Sequence, residues 1–444
     1  MLNNKKNHDV NAIDHYVREY QRVEKELVGH GQKYLSQMRL DALEQFSTLG
    51  FPSQKHSDWK YTSLTTLRQT PYFLGANIPR NAVTATMLDP SRADYRLVFV
   101  NGFFAAHLSS IAVLTDNSKI TNLSTMLEQH PEQLKATWKP NEVVEKNSFT
   151  HLNTAFFQDG AYIYLAANTR LNSPIEILFI NTDATPHRFI PLRNIIIAAE
   201  NSQAIIIEKY IDMTPENNAN YFLNTVTECR LAADSHIQHY KTITESKQAQ
   251  HVDHLCVTQQ KNSQFSAYSL ALGGILIRSD VTVKLLAPHA HCQLKGLYCT
   301  SDRQQIDQVT QIDHVSPQTS SEEFYKGIID GRARATFNGK LIVREGAILS
   351  KAKQLNKNLL LSAHAEVNSK PQLEIFTDDI QCTHGASIGQ LDKDALFYLR
   401  ARGLTATEAT DLLVKAFIQD IIEQMPLFND VTLPSLIKNT YENV

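Results

Sequence analysis

The sequence predicts a mainly β protein, in which a long strand-rich body is flanked by a helical segment at each end of the chain. From Tyr95 to about Asp379, short runs rich in Ile and Val alternate with small polar turns, at lengths typical of strands. A loose recurrence within this body has a period of about 30 residues, which lies in the range of solenoid proteins. Apolar residues at helical spacing are confined to the two ends. We therefore predict a β-helix core, with a β-sandwich as the alternative.

The N-terminal segment, residues 1–90, is predicted to be a helical domain. Residues 15–28 and 32–49 carry apolar side chains at three- and four-residue spacing among charged ones. The segment that follows, Asp58-Trp59-Lys60-Tyr61-Thr62, is rich in aromatic residues and has no clear period. We interpret Trp59 and Tyr61 as packing anchors between domains rather than as a ligand site.

Residues 91–390 are predicted to form the strand-rich core. Helical periodicity is nearly absent here, which excludes Rossmann and TIM arrangements because both need a helix after each strand. In a β-helix, each turn buries its apolar residues against the neighbouring turns, and a recurrent sequence pattern is typical. The clearest strand runs are residues 97–100, 175–179, 195–199, 205–207, 282–286, 341–343 and 359–361. The recurrence consists of Asn201-Ser202-Gln203, Asp234-Ser235-His236, Asn262-Ser263-Gln264 and His289-Ala290-His291.

Residues 391–444 are predicted to form a C-terminal helical domain. Asp392 is placed to cap a first helix, and Gly403 to end it in the left-handed conformation. Thr405-Ala406-Thr407-Glu408 then matches a capping box at the start of a second helix, which Pro426 ends. The apolar stripe of this second helix consists of Leu412, Leu413, Ala416, Phe417, Ile421 and Met425.

Composition limits the classes of partner and the cellular compartment. The 444 residues carry a net charge of −3, which gives no support for a nucleic-acid or anionic-membrane partner. The most apolar stretch, residues 97–114, is interrupted by polar residues, and the N-terminus is polar, so we expect neither a membrane span nor a secretory signal. The five cysteines form no C-x-x-C pair, which argues against a disulfide framework and a zinc knuckle. We therefore expect a cytoplasmic protein.

Two apparent catalytic motifs fail on their context. Gly385-Ala386-Ser387-Ile388-Gly389 matches the nucleophile elbow of α/β-hydrolases, but that fold places its histidine after the serine, and no histidine follows His384. The run from Gly331 to Gly339-Lys340-Leu341 resembles a phosphate loop, but its glycines are too far apart. Leu341 also stands where a Ser or Thr must bind magnesium. We therefore predict neither a hydrolase nor a nucleotide site.

Two groups of His and Cys residues remain. His289-Ala290-His291-Cys292 with Cys299 would be divided between the two faces of a strand, so we interpret it as a polar strand end. Cys382-Thr383-His384 differs, because alternation places both functional side chains on one face. Such a pair can bind a soft or borderline metal, or the histidine can lower the thiol pKa, and a buried structural pair is the alternative. Asp378 and Asp379 stand just before it.

Around these residues the sequence resembles the SufB/SufD proteins, scaffold subunits of the SUF iron–sulfur cluster assembly machinery. The resemblance is dense over residues 320–420 and collinear elsewhere. Within the family the sequence is more similar to SufD members, which carry Cys-x-His-Gly-Ala ahead of Gly-Gln-Leu-Asp. The matching blocks are Trp59-Lys60-Tyr61-Thr62, Tyr325-Lys326-Gly327, Asn338-Gly339-Lys340, Gln354-Leu355-Asn356, and residues 358–362, 370–375, 378–386, 389–392 and 396–403.

The resemblance implies a right-handed parallel β-helix flanked by helical domains, and a non-enzymatic role. It implies two partners: a SufB-like subunit, and a SufC-like ABC ATPase bound at the C-terminal helical domain. It places cluster assembly at the SufB–SufD interface on His384, with Cys382 as its companion and Asp378 and Asp379 nearby. The cargo is then iron or a transient iron–sulfur cluster, and no permanent cofactor is evident. The candidate residues for ATPase docking are Leu396, Phe397, Tyr398, Arg400, Lys415 and Gln419.

Three functions are weighed on these grounds. The leading hypothesis is a scaffold subunit that supports cluster assembly, because thiolate and imidazole ligands suit iron. The second is a structural adaptor for the ATPase with no metal role for Cys382 and His384. The third is a carbohydrate-active β-helix enzyme, which would need a cleft with paired carboxylates. Exposed edge strands also allow the isolated chain to form a homodimer.

Overall fold

The protein is described here by a computed structural model that covers residues 2–75, 83, 94–114, 116–138, 147–182, 185–214 and 218–428. The helices are α1 (Leu2–Val23), α2 (Lys33–Leu49), α3 (Thr65–Gln69), α4 (Leu123–Gln129), α5 (Pro131–Thr137), α6 (Ser148–Phe156), α7 (Lys393–Ala401) and α8 (Ala406–Ile422). No helix of this described part is both long enough and apolar enough to cross a membrane.

The strands dominate the molecule and were predicted correctly as its main element. They are β1 (Phe73–Leu74), β2 (Tyr95–Val100), β3 (Phe103–Phe104), β4 (Ser110–Ile111), β5 (Lys119–Asn122), β6 (Ala161–Leu165), β7 (Ile175–Asn181), β8 (Arg188–Ala198), β9 (Gln203–Asp212), β10 (Tyr221–Leu231), β11 (His236–Thr244), β12 (Gln250–Gln259), β13 (Gln264–Ala271), β14 (Leu276–Leu285), β15 (His291–Thr300), β16 (Gln305–His314), β17 (Ser320–Ile329), β18 (Arg334–Val343), β19 (Ser350–Leu360), β20 (Glu366–Ile375) and β21 (Ile380–Gln390).

These strands form two facing sheets. Sheet A contains β1, β5, β6 and the even-numbered strands from β8 to β20, and sheet B contains β2, β3, β4 and the odd-numbered strands from β7 to β21. From β6 onward the chain contributes one strand to each sheet in turn, and like strands of successive turns pair in parallel. The result is a parallel β-solenoid of about 7 turns with helices at both ends, as predicted.

The recurrent triplets form the corner where the chain passes from sheet A to sheet B. Asn201, Asp234, Asn262 and His289 adopt φ angles of 55°, 58°, 55° and 63°. Asn and Asp tolerate this left-handed region better than most residues, which explains their recurrence. The corners also stack, since Asn262 Nδ2 donates to Asp234 Oδ1 over 2.8 Å. The weak recurrence in the sequence therefore reflects one repeated turn of backbone.

A buried hydroxyl closes three of these corners from inside. Ser202, Ser235 and Ser263 are fully buried. Each hydroxyl donates to the carbonyl oxygen three residues earlier, over 2.6, 2.7 and 2.6 Å respectively. A local hydrogen bond of this kind favours a turn over continued strand, so the second position of the triplet fixes where each strand ends.

The interior of the solenoid is apolar along most of its length but also contains paired charges. His239 Nε2 lies 2.7 Å from Glu208 Oε2, and Lys241 Nζ lies 2.9 Å from Asp253 Oδ1. Burial alone would raise the pKa of Glu208, but the neighbouring Lys241 and His239 outweigh it and hold that pKa at about 2. Charge is therefore tolerated inside the solenoid where it is paired.

The aromatic segment near residue 60 anchors the N-terminal helices to the outer face of sheet A. Trp59 stacks on Phe149 of α6, with 5.3 Å between ring centroids. The Arg278 guanidinium on β14 lies 3.5 Å from the Trp59 ring centre, and its Nη1 donates to Thr62 Oγ1 over 2.8 Å. The prediction that Trp59 is a packing anchor is confirmed.

Three helices interrupt a region that was predicted to contain strands alone. Helices α4, α5 and α6 lie between β5 and β6. Helices α4 and α5 have seven residues each, about two turns, which is too short for an apolar stripe to stand out. Helix α6 packs with α2 against sheet A, where Phe149, Leu152 and Phe156 are buried. The expectation of an uninterrupted strand texture from Tyr95 was wrong here.

The C-terminal helices match the predicted caps. Asp392 accepts from the backbone of Asp394 and Ala395, and both bonds of the Thr405–Glu408 capping box are present. The buried face of α8 consists of Ala409, Asp411, Val414, Ile418 and Ile421. Leu412 and Ala416, which we placed on the apolar stripe, are both exposed, Leu412 to 47%. The prediction for these two residues was wrong because the helix turns its Val414–Ile418 edge toward sheet B.

Leu349 breaks the pattern of polar residues at the corner and offers a test of it. Its φ is 58°, the same left-handed conformation that Asn262 adopts at the equivalent corner three turns earlier, and its side chain is 50% exposed. Replacing Leu349 by Asn should stabilise the protein by about 1 kcal/mol, because the strain falls without loss of a buried contact. Chemical denaturation measures the change. The matched control is Ile348→Asn, an exposed neighbour without positive φ, and an equal effect of both changes would contradict the corner account.

Glu323 on β17 predicts a pH dependence of stability. Burial raises the pKa of this fully buried carboxyl from 4.5 to about 7. The folded state therefore keeps a proton that the unfolded state releases, and stability should fall as pH rises from about 4.5 to about 7. Glu323→Gln should remove about 1–3 kcal/mol of this decline, measured as the difference between variant and wild-type unfolding free energies across that range. Glu322→Gln, on the outer face of the same strand, is the control and should leave the slope unchanged.

Candidate functional site

The solenoid ends at its last turn with two strands that pair on one side only. In the described part of the chain, β20 pairs with β18 and β21 pairs with β19, and neither has a further neighbour. Side chains along β21 are exposed or half-buried, whereas those of β17 are mostly buried. The inner side chains of the last turn therefore face an open end.

Cys382 and His384 lie on the inner face of β21 at this open end. Cys382 is half-buried and packs against the apolar interior of the solenoid. Alternation along the strand puts His384 on the same face, where it is exposed. The structure thus brings the two predicted residues together on one face. Burial raises the pKa of the Cys382 thiol above its ordinary value, so the isolated chain holds this cysteine as a thiol.

The neighbouring strand β19 provides the residues on which Cys382 and His384 rest. In the parallel register, Cys382 is the partner of Ala352 and His384 is the partner of Gln354. Ala352 belongs to the buried core, and Gln354 is 1% exposed. The pair therefore rests on a small apolar residue and a buried amide. Sequence analysis missed Gln354 as part of the site, since Gln354-Leu355-Asn356 was noted only as a matching block.

Asp378 and Asp379 occupy the corner before β21. The Leu349 amide donates to the Asp379 carbonyl oxygen over 2.7 Å, which is a backbone contact of the corner. Both aspartates are exposed, and no hydrogen bond joins either carboxylate to His384 within the described ranges. Their closeness to the histidine along the chain does not place them in contact with it.

The pair supplies two potential ligands. Within the residues that the structure describes, no group of three or more His, Cys, Asp and Glu side chains is arranged to hold a metal ion. Iron and iron–sulfur clusters are usually held by four or more protein ligands or by ligands shared with other groups. A thiol and an imidazole alone therefore supply too few ligands for a complete iron or iron–sulfur site.

The other motifs lie within strands and corners of the solenoid. Ser387 sits within β21 rather than on a strand-to-helix elbow. Gly331 turns a corner with φ of 60°, while Gly339 lies inside β18. Cys292 is buried in the solenoid core, whereas His291 points to the outside at the start of β15. The position of His291 at the start of β15 agrees with the interpretation of that group as a polar strand end.

The candidate docking residues on the C-terminal helices present an exposed surface. Phe397 and Tyr398 on α7 are 75% and 58% exposed. The Tyr398 hydroxyl accepts from Arg402 over 2.9 Å, which holds the ring on the surface. Leu396 is half-buried, and Arg400, Lys415 and Gln419 are exposed. Leu412 on α8, which the sequence pattern placed on the apolar stripe, is a further exposed apolar residue of these helices.

Lys326 joins α8 to sheet B beneath that surface. Its ammonium group donates to Asp420 Oδ1 and to the Phe417 carbonyl oxygen, and lies 4.4 Å from the centre of the Phe417 ring. Lys326 is buried and stands on β17, two strands from β21 in the same sheet. The helices that carry the exposed aromatic residues are therefore fixed to the sheet that carries Cys382 and His384.

Comparison with known proteins agrees with this architecture. Residues 179–417 match the family model for the SufBD core domain of the SUF system for FeS cluster assembly, and residues 10–177 match that for the SufBD N-terminal region. An iron–sulfur cluster assembly SufBD family protein of Synechocystis is 32% identical over 90% of this chain and 89% of its own length. The iron–sulfur cluster assembly protein SufD of Escherichia coli is 27% identical over 86% and 87%. SufD of Bacillus subtilis is 24% identical over 89% and 91%.

The two family models together account for both the helical N-terminal region and the solenoid, and the match to the core model alone covers residues 179–417, more than half of the chain. By its sequence, this chain belongs to the SufBD family of iron–sulfur cluster assembly proteins.

Proposed function

We propose that this chain is a non-catalytic scaffold subunit of a SUF complex, which supports assembly of an iron–sulfur cluster at its interface with a SufB-like subunit. The observation that carries the proposal is the placement of Cys382 and His384 on the inner face of the open last turn. Family membership supports a role in cluster assembly. The cargo is iron or a transient cluster, and the compartment that suits these free thiols is the cytoplasm.

The geometry favours a site shared between subunits. The open edge of β21 presents unpaired backbone groups that another strand can satisfy. A partner strand there would cover Cys382 and His384 and bring its own ligands next to them. An imidazole in place of a fourth thiolate gives a weaker, retuned bond, which suits a cluster that must leave. In the absence of a SufB-like subunit, the same edge could pair with a second copy of this chain.

Docking of a SufC-like ABC ATPase is proposed for the surface formed by α7 and the outer face of α8. Exposed aromatic residues such as Phe397 and Tyr398 are enriched at interfaces, where they contribute most of the binding energy. The capped ends of α7 and α8, and the contact of Lys326 with α8, keep this surface rigid. Rigid presentation lowers the entropy cost of binding.

The adaptor alternative differs only in giving Cys382 and His384 no role toward iron. His384→Ala in the complex decides between the two. His384 is exposed, so its loss should leave folding, subunit assembly and ATPase binding unchanged. If the imidazole binds or protonates the cargo, cluster yield should fall at least tenfold. Anaerobic reconstitution followed by visible absorbance and iron determination measures the yield.

The matched control is His364→Ala, an exposed histidine at the corner that precedes β20. Its yield should equal that of the wild type. Cys382→Ala should lower the yield to the same or a smaller extent, because a partner cysteine supplies the main thiolate in this proposal. A stable His384→Ala complex with a normal cluster yield would contradict a role of His384 toward iron and would favour the structural adaptor.

The docking surface has its own test. Phe397→Ala or Leu412→Ala should weaken binding of the ATPase about tenfold or more, because each removes a large exposed apolar side chain from the proposed surface. Point changes are preferable to deletion of residues 391–444, since deletion would expose the apolar residues of sheet B beneath α8. Isothermal titration with the purified ATPase measures the affinity. Phe376→Ala, an exposed aromatic change on the solenoid, serves as control. Unchanged affinity in both helix variants would exclude this surface.

A further inference from the structure

Glu323, Gln354 and His384 occupy equivalent inner positions on three successive turns of sheet B. Glu323 on β17 is the register partner of Gln354 on β19, and Gln354 is the register partner of His384 on β21. Paired strands lie about 4.8 Å apart. The three side chains therefore form a polar column that runs from the buried interior to the open end.

The amide of Gln354 is held in one orientation. Its Nε2 donates to Glu323 Oε2, one turn deeper in the solenoid. Gly339 on the facing sheet packs against the same nitrogen, and a Cβ at position 339 would collide with it and force the amide to move. The amide therefore has its nitrogen directed toward Glu323 and its oxygen on the other side of the planar group.

The oxygen of this amide lacks a partner. Gln354 is 1% exposed, and its Oε1 has no hydrogen bond within the described part of the structure. A buried acceptor left unpaired costs about 1–3 kcal/mol. The next side chain in the column is His384, whose imidazole carries an N–H in either neutral tautomer. Because His384 is exposed, its ring changes rotamer on the picosecond-to-nanosecond scale and can turn toward this oxygen.

We propose that Gln354 is the positioning residue of His384: its Oε1 accepts the N–H of one ring nitrogen, which leaves the other nitrogen directed to the open end as an acceptor. This inference deepens the proposed function of His384 and rests on it. A histidine that binds iron through one nitrogen needs its other nitrogen oriented by a hydrogen bond, and such partners set the tautomer. Asp378 and Asp379, the nearest carboxylates along the chain, lie at the exposed corner instead.

Glu323, one turn deeper in the solenoid, helps to hold the Gln354 amide in this orientation. Burial raises its pKa to about 7, so both protonation states are populated near neutral pH. A carboxyl group keeps at least one acceptor oxygen in either state. The bond from Gln354 Nε2 can therefore persist across the neutral range, and the amide orientation does not depend on the charge of Glu323.

The test is the tautomer of His384, read by NMR of the full chain with nitrogen-labelled histidine at a fixed pH where the ring is neutral. Loss of a signal in His384→Ala identifies the resonance. The wild type should show one tautomer in clear excess. Gln354→Met, which keeps the unbranched shape but removes the acceptor, should shift the tautomer ratio at least twofold toward that of an exposed histidine. Gln308→Met, the same change at a buried interior position of sheet A, should leave it unchanged.

An unchanged tautomer ratio in a folded Gln354→Met protein would overturn the inference, whatever happens to the cluster. In the complex with a SufB-like subunit, Gln354→Met should also lower cluster yield about tenfold or more, as loss of an orienting partner does at metal sites. A shifted tautomer with normal cluster yield would confirm that Gln354 positions the ring and would contradict the proposed role of His384. The two claims therefore fail separately.

Discussion

The parallel stacking of one turn on the next is the interaction on which the rest of this structure depends. Each strand from β8 to β19 gives its backbone hydrogen bonds to a strand on either side, so every inner turn is satisfied by its neighbours. The same arrangement cannot satisfy the last turn, because β20 and β21 have a neighbour on one side only in the described chain. Cys382 and His384 lie at this open end. The fold therefore creates both the open edge that is proposed as the partner surface and the position of Cys382 and His384 on it.

The two ends of the chain protect the solenoid in different ways. At the N-terminal side, α1, α2 and α6 bury aromatic residues against sheet A, with Trp59 and Arg278 as the central contact. At the C-terminal side, α8 covers the outer face of sheet B, and within residues 2–428 as described no strand pairs with the outer edge of β21. The sheet that anchors α8 through Lys326 is also the sheet that ends at β21. The C-terminal helices and the Cys382–His384 pair are therefore attached to the same sheet.

Much of the architecture was predictable because it repeats. The corner triplets were visible in the sequence, since a left-handed turn selects Asn or Asp at Asn201, Asp234 and Asn262 and then a buried serine. Capping of α7 and α8 was equally clear, because caps depend on residues adjacent in sequence. Helices α4 and α5 were missed because two turns are too few to show a period. Leu412 was misplaced because the direction in which α8 faces sheet B depends on distant residues. Gln354 was missed for the same reason, as its relation to His384 arises from register between turns and not from spacing along the chain.

The central claim is that the open edge at β21 is the surface that a SufB-like subunit covers. Hydrogen–deuterium exchange of this chain, alone and in the complex, tests it directly. The relevant backbone amides are those of β21 (Ile380–Gln390) that point away from β19, toward the open edge. The account predicts that they exchange quickly in the isolated chain and slowly in the complex. Amides of β14, residues Leu276–Leu285, should be protected to the same extent in both. Equal exchange of β21 with and without the partner, in a complex shown to be assembled, would contradict the account.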